Sequence, residues 1–203
     1  MMDDIYYTIE GESKGMYKEK GSKFISLGYS IKSSEQAKEI INNVKKEYYD
    51  ARHHCYAYIL GFDKKEFRMN DDGEPSYSAG KPIYGQLVSK DLTNILVVVI
   101  RYFGGVKLGV GGLTNAYKQA TIDLLENSVI VTKTIMNRYS ISFDYSSMND
   151  VMRILKEYSL IQENHNFDLE CYLEFCVRKN EQKKIVEKFR DLEKVEIKFI
   201  EEF

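Results

Sequence analysis

The sequence predicts an α+β protein of two domains, residues 1–134 and 135–203. Two observations carry this. All 13 glycines and both prolines lie at or before Gly112, and the last 91 residues contain neither. The first part therefore needs special backbone geometry, and the last is built from regular elements joined by polar turns. Apolar residues in that last part alternate at strand period, then recur at helical period, in the order βαββαβ. That order is a ferredoxin-like unit.

In chain order, residues 5–9 and 23–31 read as strands, with Gly11, Gly15 and Gly21 between them. Ser33-Ser-Glu-Gln36 resembles a capping box. Behind it Ala37, Ile40, Ile41, Val44 and Tyr48 fall on one helical stripe. His53–Leu60 reads as a strand, and Glu66–Met69 returns after the turn at Gly61 and Asp63. Asn70–Pro82 carries three acids and two prolines, so it is a loop, from which Pro82 opens a short helix. Ile95–Ile100 is an unbroken apolar strand. Leu113, Ala116, Tyr117, Ala120, Leu124 and Leu125 mark a helix whose start falls after Gly112. The predicted order is ββαββ, a short α, then βα.

In the last part Tyr139, Ile141, Phe143 and Tyr145 alternate with Ser140, Ser142 and Asp144. Val151, Ile154, Leu155 and Tyr158 mark a helix capped by Ser147. Residues 160–166 form a weaker strand. Leu169–Val177 alternates again, Ile185–Leu192 is a helix and Val195–Phe199 a strand. The outward set is Ser140, Ser142, Asp144, Glu170, Tyr172, Glu174, Glu196 and Lys198. That face is acidic with one tyrosine, which suits a protein contact or an exposed structural face better than RNA.

Composition excludes several classes. The chain has 203 residues, 43% apolar and 30% charged, an ordinary soluble balance. No run approaches the ~20 apolar residues of a membrane helix. Met-Met-Asp-Asp at the start is acidic and has no signal-like apolar stretch, so a cytoplasmic location is expected. Cys55, Cys171 and Cys176 fit neither a zinc nor a redox spacing and read as buried reduced thiols. Net charge is −2, with 18 Lys and Arg against 17 Asp and Glu over 1–135, and 11 against 14 over 136–203. Neither part grips nucleic acid by bulk charge, so any such contact is local.

The chemistry concentrates in Arg101-Tyr-Phe-Gly-Gly-Val-Lys-Leu-Gly-Val-Gly-Gly-Leu113. It matches neither a P-loop nor a dinucleotide fingerprint. Two readings stand. Arg101, Lys107, Gly109, Gly111 and Gly112, with Lys81 and His53, form an anion site at a helix start. Alternatively, the glycines let the loop pack tightly against the sheet. Asp72 and Glu74 are candidate cation ligands, although local backbone capping is the better reading of that loop. His53 and His54 point to opposite strand faces and cannot share a metal. A half-buried, hydrogen-bonded His53 is favoured over a catalytic one. Tyr56, Tyr58, Tyr77, Tyr84, Tyr102 and Tyr117 either stack on bases or pack. No activated nucleophile, cofactor or confident metal set is evident, and a non-enzymatic role is expected.

Ser22-Lys-Phe-Ile25, Asp71-Asp-Gly-Glu-Pro-Ser-Tyr-Ser-Ala-Gly-Lys-Pro-Ile83 and the Arg101–Leu113 string, with His53 and Ala57-Tyr58, resemble the YigZ/IMPACT family. The resemblance covers residues up to about 130. It implies a first domain with a left-handed βαβ crossover, like domain IV of elongation factor G, and a second like its domain V. It also implies a translation-linked factor that binds RNA or a ribosome-associated partner. A second function is a phosphate- or nucleotide-binding protein, or a phosphoryl-transfer enzyme using the same loop. A third is a protein-interaction module. Tyr77-Ser78 stands where the family usually has Gly-Thr, and Thr114-Asn115 where many members have Val-Arg.

Overall fold

The computed structural model describes residues 4–167 and 170–203. The acidic start at Met1–Asp3, Leu169 and the side chain of Glu170, all used above, lie outside the described residues. The elements are β1 (Ile5–Ile9), β2 (Glu12–Glu19), β3 (Ser22–Ser30), α1 (Ser34–Glu47), β4 (His53–Leu60), β5 (Glu66–Asn70), α2 (Gly80–Ser89), β6 (Ile95–Tyr102), α3 (Gly109–Glu126) and β7 (Ile130–Thr134). There follow β8 (Met136–Asp144), α4 (Met148–Glu157), β9 (Gln162–Phe167), β10 (Glu170–Arg178), α5 (Gln182–Arg190) and β11 (Val195–Glu202). No described helix is long and apolar enough to cross a membrane.

Two compact units result, residues 6–133 and residues 134–203. Asp4 and Ile5 belong to the second unit, not to the one that follows them in sequence. Ile135 N–H donates to the Asp4 carbonyl at 2.7 Å, and Arg178 Nε to the Asp4 carboxylate at 2.9 Å.

The first unit is built on an antiparallel sheet of order β2-β3-β6-β4-β5. Strands β3 and β4 flank β6, run parallel to each other, and are joined through α1. The sheet is covered on both faces, which explains the unbroken apolar run of β6. On one face Cys55, Ala57, Ile59, Val97 and Val99 pack under Leu87 of α2 and Leu113, Ala116, Tyr117 and Leu124 of α3. On the other, Ile25, Tyr56, Tyr58, Val98 and Ile100 pack under Ala37, Ile41 and Val44 of α1. The α1 cap forms as its sequence predicts: Ser33 Oγ accepts from Gln36 N–H at 3.2 Å, while Gln36 Oε1 reaches back to Lys32 N–H at 2.8 Å.

Two strands escaped the sequence reading. Strand β2 is polar and half-exposed at the sheet edge, and carries Gly15. A Cβ at Gly15 would lie 2.5 Å from Leu124 N. That glycine serves the approach of α3, not a turn. Strand β7 pairs with β1, distant in sequence, to make a separate two-stranded sheet.

The second unit has the predicted βαββαβ order, with an antiparallel sheet β11-β8-β10-β9. Ile141, Phe143, Leu173 and Phe175 face Val151, Leu155, Ile185 and Phe189 of α4 and α5. On the open face Arg138 pairs with Glu163 at 3.2 Å and Glu201 at 2.7 Å, a cation missed when that face was read as acidic. Ser147 does not cap α4; its hydroxyl donates to the Glu193 carbonyl at 3.1 Å. None of the cysteines is in a disulfide, and Cys55 and Cys171 are buried as expected. Cys176 is only half-buried, because it lies on that open face.

Candidate functional site

Strand register brings the site together. Arg101 on β6 is paired with Phe24 on β3 and with His53 on β4, so the three side chains lie in one row on the α3 side of the sheet. Beyond this row β6 ends at Tyr102, residues 103–108 leave the sheet, and α3 begins. A cleft of about 890 Å³ opens there. It is lined by the Asp50–His53 turn, Glu74 and Pro75, Arg101–Phe103, Lys107–Val110 and Leu113.

Its floor is a buried ion pair. Arg101 Nη1 lies 2.6 Å from Glu74 Oε1, with the side chains 8% and 4% exposed. Tyr117 from α3 donates its hydroxyl to the same oxygen at 2.9 Å. Burial, then the neighbouring Cys55 and Glu74, raises the Tyr117 phenol far above its ordinary value, so it stays a donor. Cys55 Sγ sits 3.2 Å from that hydroxyl and 3.0 Å from the Asp71 carbonyl. Burial pushes this thiol up as well, away from thiolate chemistry. The Arg101 guanidinium lies over the rings of Phe24 and Phe103, 5.6 and 5.7 Å from their centroids. Its Nε is buried without a hydrogen-bond partner.

The acidic loop is spent on the fold. The Asp71 carboxylate accepts from the N–H groups of Tyr77, Ala79 and Gly80 at 2.8, 3.0 and 2.8 Å, capping the start of α2. Asp72 accepts from Lys45 Nζ at 2.8 Å and His54 N–H at 2.7 Å. Each of the two carboxylates named as cation ligands, Asp72 and Glu74, thus has a cation of its own. No metal-type cluster of His, Cys, Asp and Glu exists among the described residues. Burial works against the charge of Asp72, yet Lys45 and His54 outweigh it and hold the carboxyl below the usual range. A carboxyl lowered on folding adds stability above its unfolded pKa, and that share disappears as pH falls through the folded value. In urea titrations, the stability advantage of wild type over Asp72→Asn is therefore expected to shrink below about pH 4. An advantage that stays constant from pH 6 to about pH 2 would contradict this.

His53 Nδ1 lies 2.9 Å from the Asp72 carbonyl. A carbonyl only accepts, so Nδ1 carries a hydrogen and donates it. His53 is thus half-buried and satisfied through one nitrogen. Helix α3 begins at Gly109, not after Gly112, so Gly109, Gly111 and Gly112 occupy its first turn, which has no side-chain cap. Its first N–H groups have no intrahelical partner. A Cβ at Gly109 or Gly111 would meet nothing within 4 Å.

Of the residues singled out in the sequence, His53, Glu74, Arg101, Lys107 and Gly109 line the cleft, with Gly111 and Gly112 in the adjoining helical turn. Lys81 does not; its ammonium lies 5.6 Å over the Tyr77 ring. Tyr56, Tyr58 and Tyr117 are buried and cannot stack on a ligand. Of the named tyrosines only Tyr102 lines the cleft, and its hydroxyl donates to Asp50 at 2.7 Å. That hydrogen bond, helped by burial, pushes the phenol up to about 12. Missed were Phe103, 57% exposed, and the polar turn Asp50–Arg52. Phe103 lay inside the glycine string; nothing in the Asp50–Arg52 turn marked it.

The Impact N-terminal domain model matches residues 20–125, which span this whole constellation. The chain belongs to the IMPACT family. IMPACT family member YvyE of Bacillus subtilis is 34% identical over 173 residues, 83% of this chain and 80% of the relative. IMPACT family member YigZ of Escherichia coli is 36% identical over 138 residues, 67% and 68% of the two chains. A crystal structure described as that of a hypothetical protein superposes with a TM-score of 0.73 at 27% identity, covering 99% of both chains. In this IMPACT protein Tyr77 takes φ +64°, a conformation that glycine adopts without the steric penalty a Cβ brings.

Proposed function

We propose that this protein is a translation-linked binding factor that holds RNA in the cleft beside the first turn of α3. The uncapped, glycine-rich start of α3 carries the reading: its N–H groups and the positive end of the helix dipole suit a phosphate. Lys107 adds a mobile point charge at the same rim, and Arg52 a second cation. Family membership supports the link to translation through the resemblance on which it was first drawn.

Lys107→Glu is expected to weaken binding of a short single-stranded RNA about tenfold at low salt, measured by fluorescence anisotropy, and to lower the salt slope by about one. Sedimentation of cell lysate at low salt is expected to carry the protein with ribosomes. Absence of both RNA binding and ribosome association would end this reading.

The size of the cleft favours one other reading. About 890 Å³ falls within the ~300–1,000 Å³ of small-molecule sites. A phosphorylated small molecule would then take the place of the RNA phosphate. A thermal-shift screen of nucleotides, with and without Mg²⁺, separates the two; no shift at millimolar ligand removes the second.

A further inference from the structure

We propose that Phe103 is a base-stacking platform, so that the cleft takes an unpaired nucleotide of a single strand, largely irrespective of its base. This rests on the RNA-binding reading and specifies what that site accepts. Three observations lead to it.

The first is the placement of Phe103. It is 57% exposed, and Val110, which lines the same cleft, is also 57% exposed. Exposed apolar side chains grouped around a cleft mark a binding surface more often than isolated ones do. The second is its support. The Arg101 guanidinium lies over both the buried Phe24 ring and the Phe103 ring, and Arg101 is itself anchored by Glu74. A ring backed by an immobilised cation is pre-organised, and stacking on it loses little further side-chain freedom. The buried, unpartnered Nε shows that Glu74 does not use the full donor capacity of this guanidinium.

The third is the charge balance. Arg101 and Glu74 cancel, and among the described residues neither Lys107 nor Arg52 makes an ion pair, while Asp50 opposes them at the rim. With Lys107 and Arg52 the cations left to meet phosphate in this cleft, counterion release supplies only part of the affinity. Contact with an aromatic face supplies the remainder, and every unpaired base has such a face. A duplex keeps its bases stacked and offers none to Phe103. The open space at Gly109 and Gly111 leaves room for the adjoining phosphate.

The test compares three ligands with the full chain by fluorescence anisotropy: a single-stranded RNA of about 12 nucleotides, an abasic strand of the same length, and a duplex. Wild type is expected to bind the base-bearing strand at least about fivefold more tightly than the abasic one. Phe103→Ala is expected to erase that difference; Phe103→Tyr, which keeps the ring, should retain it. A 2-aminopurine placed in the strand should be quenched by wild type and not by Phe103→Ala. Equal binding of base-bearing and abasic strands by wild type, or of duplex and single strand, would overturn the platform and leave the RNA reading standing. Failure to bind any of the three would overturn both. Far-UV circular dichroism of Phe103→Ala, a change at an exposed side chain, confirms that the fold is retained.

Discussion

Glu74→Ala is expected to destabilise the N-terminal unit by about 3–5 kcal/mol, because it strands a buried charge. Arg101 is 8% exposed on its side chain, and Glu74 at 2.6 Å is the carboxylate that balances it. Truncation would also leave the Tyr117 hydroxyl without its acceptor in an apolar setting. The Tyr117 hydroxyl cannot turn to water without breaking the packing of α3 on β3, where Tyr117 meets the Phe24 ring edge-on at 5.1 Å. Glu74→Gln keeps an acceptor and the shape, and is expected to lose less. The measurement is urea unfolding of the full chain by circular dichroism, reading the transition of the N-terminal unit. A loss under about 1 kcal/mol would mean that Arg101 finds water, as surface pairs do.

The second large effect separates glycines that look alike in sequence. Gly104→Ala is expected to destabilise by about 3 kcal/mol or more, whereas Gly111→Ala should be neutral or stabilising by up to ~1 kcal/mol. A Cβ at Gly104 would lie 1.9 Å from Gly21 C and 2.1 Å from Ser22 N. Those are backbone atoms of the β2–β3 turn, so no rotamer change relieves the overlap. Gly104 N–H also donates to Ser22 Oγ at 3.1 Å, tying loop to turn. At Gly111 the added methyl meets nothing, and alanine is the better helix former. Thermal melts of the two variants decide the matter. Equal destabilisation would show that Gly111 has a packing role hidden here. A stable Gly111→Ala that has lost RNA affinity would place the need for that glycine at the ligand.

Of the two alternatives the sequence left open for the glycine string, anion site and tight packing, the second holds for Gly104. Gly109, at φ +70°, turns the chain into α3, and Gly111 stands in open space. The string itself could not reveal this, because the atoms that crowd Gly104 belong to residues 21 and 22, over eighty positions away.

Much of the fold was legible locally. Strict alternation identified the strands β8 and β10. Ser33 and Gln36 announced α1, because a cap is a contact three residues long. Strand β2 was not legible: its side chains are mostly polar, and it is a strand because β3 supplies its hydrogen-bond ladder. Strand β7 likewise depends on β1. The family, too, was legible, since it rests on an ordered string of residue types.

What only the tertiary structure decided is which charges are available. In sequence, Arg101 and Lys107 are equivalent cations flanking a glycine loop, and Asp72 and Glu74 equivalent acids in another. Folding places Arg101 in the middle of a sheet row, where burial makes an unpaired charge costly and Glu74 is drawn in to neutralise it. Lys107 stays outside, exposed on a loop. Side-chain type and spacing determine helices, strands and kinship because those depend on neighbours along the chain. The partner of a buried charge depends on strand register across the sheet, and that is set by all the strands together.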